Sequence, residues 1–222
     1  MSDANYGLVS KMGVHLVDKM GNDLSVVNAA RISFNGEKEI ADAKDIKLMD
    51  YLAKNKHMSP FEHCTATFII ECPLFIRSQI HRHRTFAYNE ISRRYTSEDL
   101  NFYVPEVLRA QAENNRQASE GEVGSDVNTH LENLMKTHIC KSVGLYEKLL
   151  SEGVAREVAR AVLPQNLMTR FYMTGNLRNW AHFIELRIDA HAQVEAQLIA
   201  KELSDKLVEV FPEAMGALRK YI

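Results

Sequence analysis

Between Arg77 and Arg94 the chain reads RSQIHRHRTFAYNEISRR, a stretch with five arginines, two histidines, one acid (Glu90) and no lysine. The whole chain carries a net charge of −2, so this basic density is local. Arginine without lysine suits planar, bidentate recognition of phosphate or carboxylate, because the guanidinium presents a rigid fork of donors. If the segment is helical, Gln79, Arg82 and Phe86 fall on one face, and the consecutive Arg82, His83 and Arg84 point in three directions. The alternative is a solvated basic face, or arginines paired with acids elsewhere. Tyr88, Asn89, Glu90 and Ser92 follow with hydrogen-bonding groups and no apolar period, the pattern of a site loop.

Three other groupings could carry chemistry. Arg187, His191 and Glu195 are spaced four apart, as one helical face or as an exposed charge ladder. Arg156 and Arg160 have the same spacing ahead of Pro164. His57-Met-Ser-Pro-Phe-Glu62-His63 places two histidines and an acid in a turn, but no HExxH or paired ExxH accompanies them, so no metal site is expected. Cys72-Pro73 ends an apolar run, where a buried structural thiol is a better reading than a nucleophile. Neither GxGxxG nor GxxxxGK[ST] occurs, which excludes a Rossmann turn and a P-loop.

The elements that must position these residues follow from pattern. Residues 13–20 alternate and end at Gly21, as a strand does. Asp23 is the expected cap of a helix through LSVVNAARISF. Helical spacing recurs over 38–56, and SPFEH at 59–63 reads as a turn. Residues 64–72 form a Thr-, Phe- and Ile-rich strand stopped by Pro73, and 74–83 return to a helical pattern. Residues 111–126 hold one apolar side chain larger than alanine, Val123, and read as an exposed loop. A long helix follows with Val127, Leu131, Leu134, Ile139, Val143, Tyr146 and Leu150 facing inward, closed by Gly153. After a short helix to Pro164 come a strand at 169–175, a helix capped by Asn176, and a terminal helix from about Ala192. The order is mixed, with no regular βαβ alternation. The expectation is an α+β fold over residues 1–222, one domain with a mainly antiparallel sheet flanked by long helices.

Bulk properties narrow the class. Of 222 residues, 45% are hydrophobic and 25% charged, ordinary for a soluble globular protein. Near-neutral charge argues against a general nucleic-acid coat, and no apolar run reaches membrane-spanning length. Cys64, Cys72 and Cys140 are an odd set without metal spacing, and the N-terminus has no apolar h-region. A reducing, cytoplasmic setting is expected.

The spacing Arg82-His83-Arg84, seven residues, Ser92 resembles the RHR-x7-S signature of the flavin-dependent thymidylate synthases, whose fold is that of the thymidylate synthase-complementing proteins. MGNDLSVVNAARISF, HMSPFEH, YNEISRRY, REVARAVLP and LRIDAHAQVE are similar to that family's segments, in its order and over most of the chain. The resemblance implies reductive methylation of dUMP to dTMP, with methylenetetrahydrofolate as carbon donor and NADPH-reduced FAD as hydride source. It implies no cysteine nucleophile, and a homotetramer with sites shared between subunits. Carried over by position, Gln79, Ile80, His81 and Arg82, with Glu90, Ile91, Ser92, Arg93 and Arg94, would hold dUMP, joined by Arg160. Arg187 and Ser92 would be catalytic, Arg187 by stabilising charge on the pyrimidine. Arg82, His83, Arg84 and Glu90 would touch FAD, as would Asn176, Leu177, Arg178, His182 and His191. Ser59 would reach FAD from a neighbouring subunit, and His57 would stand near the flavin ring. His182 stands where related sequences often carry Asn, and Ala87 where some carry Ser. The competing class is a non-catalytic nucleotide- or RNA-binding module built on the same arginines.

Overall fold

A computed structural model describes residues 6–96, 100–113 and 119–221. The fold is α+β, with an antiparallel component and long helices. Its strands are β1 (Tyr6–Val9), β2 (Gly13–Met20), β3 (Thr65–Pro73), β4 (Ala87–Glu90), β5 (Leu100–Tyr103), β6 (Arg109–Gln111), β7 (Ser119–Glu122) and β8 (Met168–Asn176). Its helices are α1 (Asp23–Arg31), α2 (Ala43–Lys54), α3 (Leu74–Ile80), α4 (Ser125–Ser151), α5 (Arg156–Ala159), α6 (Leu177–Ile188), α7 (Val194–Val210) and α8 (Pro212–Leu218). One sheet has the order β2-β3-β8-β4; β1 pairs with β5 in parallel, and β6 with β7 antiparallel. The backbone divides into two compact units, neither continuous in sequence, with boundaries inside β2, β3, β4 and β8 and one just after α3.

The first unit comprises Met1–Gly13, Glu71–His81 and Glu90–Phe171. Its core sets Ile139, Val143 and Tyr146 of α4 against Leu100 and Phe102 of β5, with Leu163 and Leu167 completing the cluster. The inward face expected along all of α4 holds only in its C-terminal part. Val127, Leu131 and Leu134 are exposed, because the apolar period extends beyond what this unit's core covers. Within the stretch expected as a loop, Ser119–Glu122 forms β7 and α4 starts at Ser125, while residues 114–118 lie outside the described residues.

The second unit comprises Val14–Ile70, Arg82–Asn89 and Tyr172–Ile222. Trp180 of α6 is fully buried, with Phe86 at 4.6 Å and Phe68 at 5.2 Å between ring centroids. Its indole N–H donates to the Ala66 carbonyl at 3.3 Å. Asn176 caps α6 as expected, its side chain accepting from the Asn179 amide at 2.9 Å. The cap of α1 is Asn22, in a reciprocal pair with Ser25, and not Asp23. Asp23 instead accepts from the amides of Glu213 and Ala214 at the start of α8, a helix that sequence patterning missed. In α2, burial would push the Asp45 carboxyl up, but hydrogen bonds from Lys38, the Asp42 amide and Arg31 hold it well below the usual carboxylate range.

Gly175 fixes how closely β8 meets the turn before β4. A Cβ built there lies 2.4 Å from two ring carbons of Phe86. Gly175→Ala must therefore displace a buried aromatic three residues from His83, and overpacking of this kind costs roughly 1–3 kcal/mol. Thermal unfolding is expected to show a clearly lowered Tm for this variant; an unchanged Tm would mean that Phe86 has room to give way.

Candidate active site

The arginine-rich segment does not form one helix. α3 stops at Ile80, and the His81 amide closes it on the Arg77 carbonyl at 2.9 Å. The chain then turns and enters β4, so Gln79, Arg82 and Phe86 do not share a helical face, and Tyr88 to Glu90 lie on a strand. Exposure alternates through the triplet: Arg82 and Arg84 are exposed, and His83 is buried. The acid-paired alternative holds for part of the cluster only. Arg77 pairs with Glu90 at 3.0 Å and Arg94 with Glu157 at 3.5 Å. Arg82 and Arg84 have no acidic partner among the described residues.

In the first unit a cavity of about 630 Å³, within the usual range for small-molecule sites, is lined by Arg77, Glu90, Ile91, Ser92, Arg93 and Arg160, among others. Five of these carry over from the sequence reading. Arg77 does not, although it opens the cluster. One oxygen of Glu90 accepts both Arg77 Nε and the Thr169 hydroxyl, the latter at 2.7 Å, which locks the carboxylate in the wall. Arg160 donates Nε–H to the Glu157 carbonyl at 3.4 Å and pairs with no acid among the described residues. Ser92 Oγ accepts the Arg94 amide at 3.3 Å. Three guanidinium groups against two carboxylates, Glu90 and Glu157, leave the wall with a positive excess suited to a phosphate.

In the second unit a cavity of about 610 Å³ opens at the start of α6, lined by Asn176, Arg178, His182, Lys56, Met58 and Tyr221, among others. The first-turn amides and positive end of a 12-residue helix favour an anion there. Glu62 holds Arg178, and Glu185 lies 3.6 Å from His182. His57 and Ser59, both exposed, flank the wall residue Met58. Lys56 and Tyr221 were not legible as site residues. Lys56 sits at φ 56 on a turn, and Tyr221 is held by its hydroxyl on Asp50 at 3.1 Å, 171 positions away.

The remaining candidates are placed as follows. Ile80 and Leu177 are fully buried, so a role for either falls to its backbone. His81 stands edge-on to Phe171 at 4.9 Å, in the first unit with Gln79. Arg187 lies in the last turn of α6 and donates Nε–H to His83 Nε2 at 3.0 Å. The helical face expected to run through Arg187, His191 and Glu195 is broken. α6 ends at Ile188, Asp189 turns the chain and accepts the His191 amide at 2.7 Å, and α7 begins at Val194. Among the described residues no group of three His, Cys, Asp or Glu side chains could hold a metal ion, and no helix is long and apolar enough to cross a membrane.

A cavity with a positive excess beside Ser92 and a second at a helix N-terminus define an α+β protein fitted to phosphate-bearing ligands. The model of the family described as "Thymidylate synthase complementing protein" matches residues 15–213. The flavin-dependent thymidylate synthase of Thermotoga neapolitana is 42% identical over 96% of this chain and 94% of its own length. That of Thermus thermophilus is 40% identical over 97% of this chain and 78% of its own. The crystal structure of the UMP/dUMP methylase PolB from Streptomyces cacaoi, bound with 5-Br dUMP, superposes with a TM-score of 0.88 at 32% identity, covering 97% of each chain. The chain belongs to the flavin-dependent thymidylate synthase family.

Proposed function

We propose that this protein converts dUMP to dTMP by reductive methylation, in the cytoplasm, as a homotetramer whose sites draw on more than one protomer. The balance is dUMP, methylenetetrahydrofolate, NADPH and a proton in, and dTMP, tetrahydrofolate and NADP⁺ out. FAD, when bound, would take a hydride from NADPH and deliver it to the one-carbon unit as that unit is reduced to a methyl group. The observation that carries this reading is the first cavity, where Arg77, Arg93 and Arg160 surround Ser92. There Arg93 and Arg160 would bind and orient the nucleotide phosphate, Glu90 would fix Arg77, and Ser92 would stand near the uracil. Gln79, Ile80, His81, Arg82 and Arg94 would complete the dUMP contacts. Arg187 would hold negative charge on the pyrimidine.

For the flavin, the residues present fit the group. A pyrophosphate needs cations and backbone donors, and the second cavity offers Arg178, Lys56 and the first turn of α6. Asn176, Leu177, His182, Ser59 and His57 belong to the same region of the sequence reading, as do the exposed Arg82 and Arg84. Glu90 and His191 complete the proposed flavin set, with the buried His83 contributing through its backbone.

The reading without a cysteine nucleophile is supported by placement: Cys64 and Cys72 are buried, and the exposed Cys140 lines neither cavity. No cysteine lines either cavity. Cys72 is fully buried, and burial, then the charge of Glu90, pushes its thiol far up, out of reach of a thiolate at neutral pH. Cys64 is likewise buried and raised, its thiol donating to the Asn22 carbonyl. Cys72→Ala is expected to keep kcat within about threefold, with only a modest loss of stability. Abolished dTMP formation by a folded variant would restore a thiol to the mechanism.

Colour is the direct test of the whole reading. Purified protein is expected to be yellow, or to take up FAD with a visible band that NADPH bleaches, and to form dTMP when dUMP and methylenetetrahydrofolate are added. A colourless protein that fails to bind added FAD would leave the arginines to a non-catalytic nucleotide- or RNA-binding role.

A further inference from the structure

We propose that His83 is a positioning residue for Arg187, turned inward to set the plane of its guanidinium, while the arginines on either side face outward. The inference rests on the dUMP-methylating role of Arg187 proposed above. Its basis is the alternation across Arg82-His83-Arg84: exposed, 8% exposed, exposed. The triplet divides its work by this difference in exposure. Arg82 and Arg84 reach solvent, and the imidazole reaches the end of α6.

The imidazole is anchored on several sides. Its ring packs on Phe183 at 4.7 Å, one turn of α6 before Arg187. The Tyr88 hydroxyl donates to the His83 carbonyl at 2.8 Å and ties down the backbone. Phe86, wedged against Gly175, holds the next turn of chain. Against this fixed ring the Arg187 Nε–H donates to Nε2 at 3.0 Å. Nε2 must then carry a lone pair, which places the ring proton on Nδ1.

The chemistry of the acceptor is what makes the arrangement useful. A carboxylate in this position would hold the guanidinium equally well but would cancel most of the charge that the reacting pyrimidine needs. A neutral imidazole orients the fork and leaves its charge intact. Burial first, then the neighbouring charges of Arg187 and His182, draw His83 down to about 4, so the acceptor persists at neutral pH. An arginine side chain is long and rotamer-rich, and fixing one N–H removes much of that freedom before substrate arrives.

The test compares His83→Phe, which keeps an aromatic ring against Phe183 and loses the acceptor, with His83→Gln, which restores an acceptor oxygen. Both are measured for flavin content, Tm, kcat and the dUMP KM. His83→Phe is expected to retain flavin and lose roughly 10–100-fold in kcat, the scale of a misplaced catalytic group. His83→Gln should recover most of that loss. In an Arg187→Ala background, His83→Phe should cost less than about threefold, because the two residues act as one unit. An activity-independent readout is the Arg187 Nε–H resonance of arginine-labelled protein, expected to be shifted and exchange-protected in the wild type and to lose both properties in His83→Phe. Flavin loss from His83→Phe, an unchanged kcat, an equal loss in the Arg187→Ala background, or an unmoved Nε–H resonance would each overturn the proposal. A wild-type protein that makes no dTMP yet shows the protected resonance would refute the proposed reaction and not the hydrogen bond.

Discussion

Arg187→Ala is expected to lower kcat roughly 10²–10³-fold, because removing one preorganised donor at a site of developing charge costs about 2.7–4 kcal/mol. Burial draws its pKa below the ordinary arginine value, and a guanidinium still carries its charge at neutral pH. The side chain sits in the last turn of α6, where a cation favours the helix by a few tenths of a kcal/mol, and its hydrogen bond to His83 adds roughly 0.5–1.5 kcal/mol. Flavin content should therefore stay near the wild-type value and Tm fall only modestly while turnover collapses, which separates a chemical role from a structural one. Arg187→Lys keeps the charge but loses the Nε–H fork that meets His83, and should fall between the two. Initial rates of dTMP formation by chromatography decide the matter. A kcat for Arg187→Ala within threefold of the wild type would remove this residue from the reaction.

What was legible in the sequence was local. Thr65–Pro73 alternates because one face of the strand is packed, and Asn176 announces its helix because a cap is chemistry between near neighbours, whereas Gly13–Met20 is a strand that buries only Val14. The RHR-x7-S spacing is likewise a pattern among near neighbours. The internal logic of that segment was not legible, because helical periodicity over 74–83 and a turn after Ile80 look alike until the partners of His83 are known. Those partners, Arg187 and Phe183, lie about a hundred residues downstream. Glu90 is a similar case: Thr169, 79 positions away, fixes its carboxylate, and no pattern around Glu90 records it. α8 escaped because part of its N-terminal support comes from Asp23 at the other end of the chain. The exposed Val127, Leu131 and Leu134 show the converse, an apolar period that is clear in the sequence but not satisfied by the core of the first unit.

Arg160→Ala is expected to raise the KM for dUMP roughly 10–100-fold with a smaller change in kcat, since a charge-assisted hydrogen bond to an ionised group is worth about 1.5–3 kcal/mol. Arg160 is the cleanest probe of the first cavity because its removal strands no acid. It donates Nε–H to the Glu157 carbonyl at a long 3.4 Å, and its side chain is exposed. Arg77 would be a poorer choice, because its loss takes from the Glu90 carboxylate the cation that pairs with it beside Thr169. The charge balance of the cavity sets the direction of the effect. Arg77, Arg93 and Arg160 face Glu90 and Glu157, and taking away Arg160 removes the positive excess that a phosphate dianion would meet. The loss should belong to the phosphate and not to the base. Deoxyuridine, which lacks the phosphate, should therefore bind wild type and Arg160→Ala equally, and added salt should narrow the difference for dUMP. A dUMP KM unchanged in Arg160→Ala, or an equal penalty on deoxyuridine, would place the phosphate elsewhere and leave this cavity without its proposed ligand.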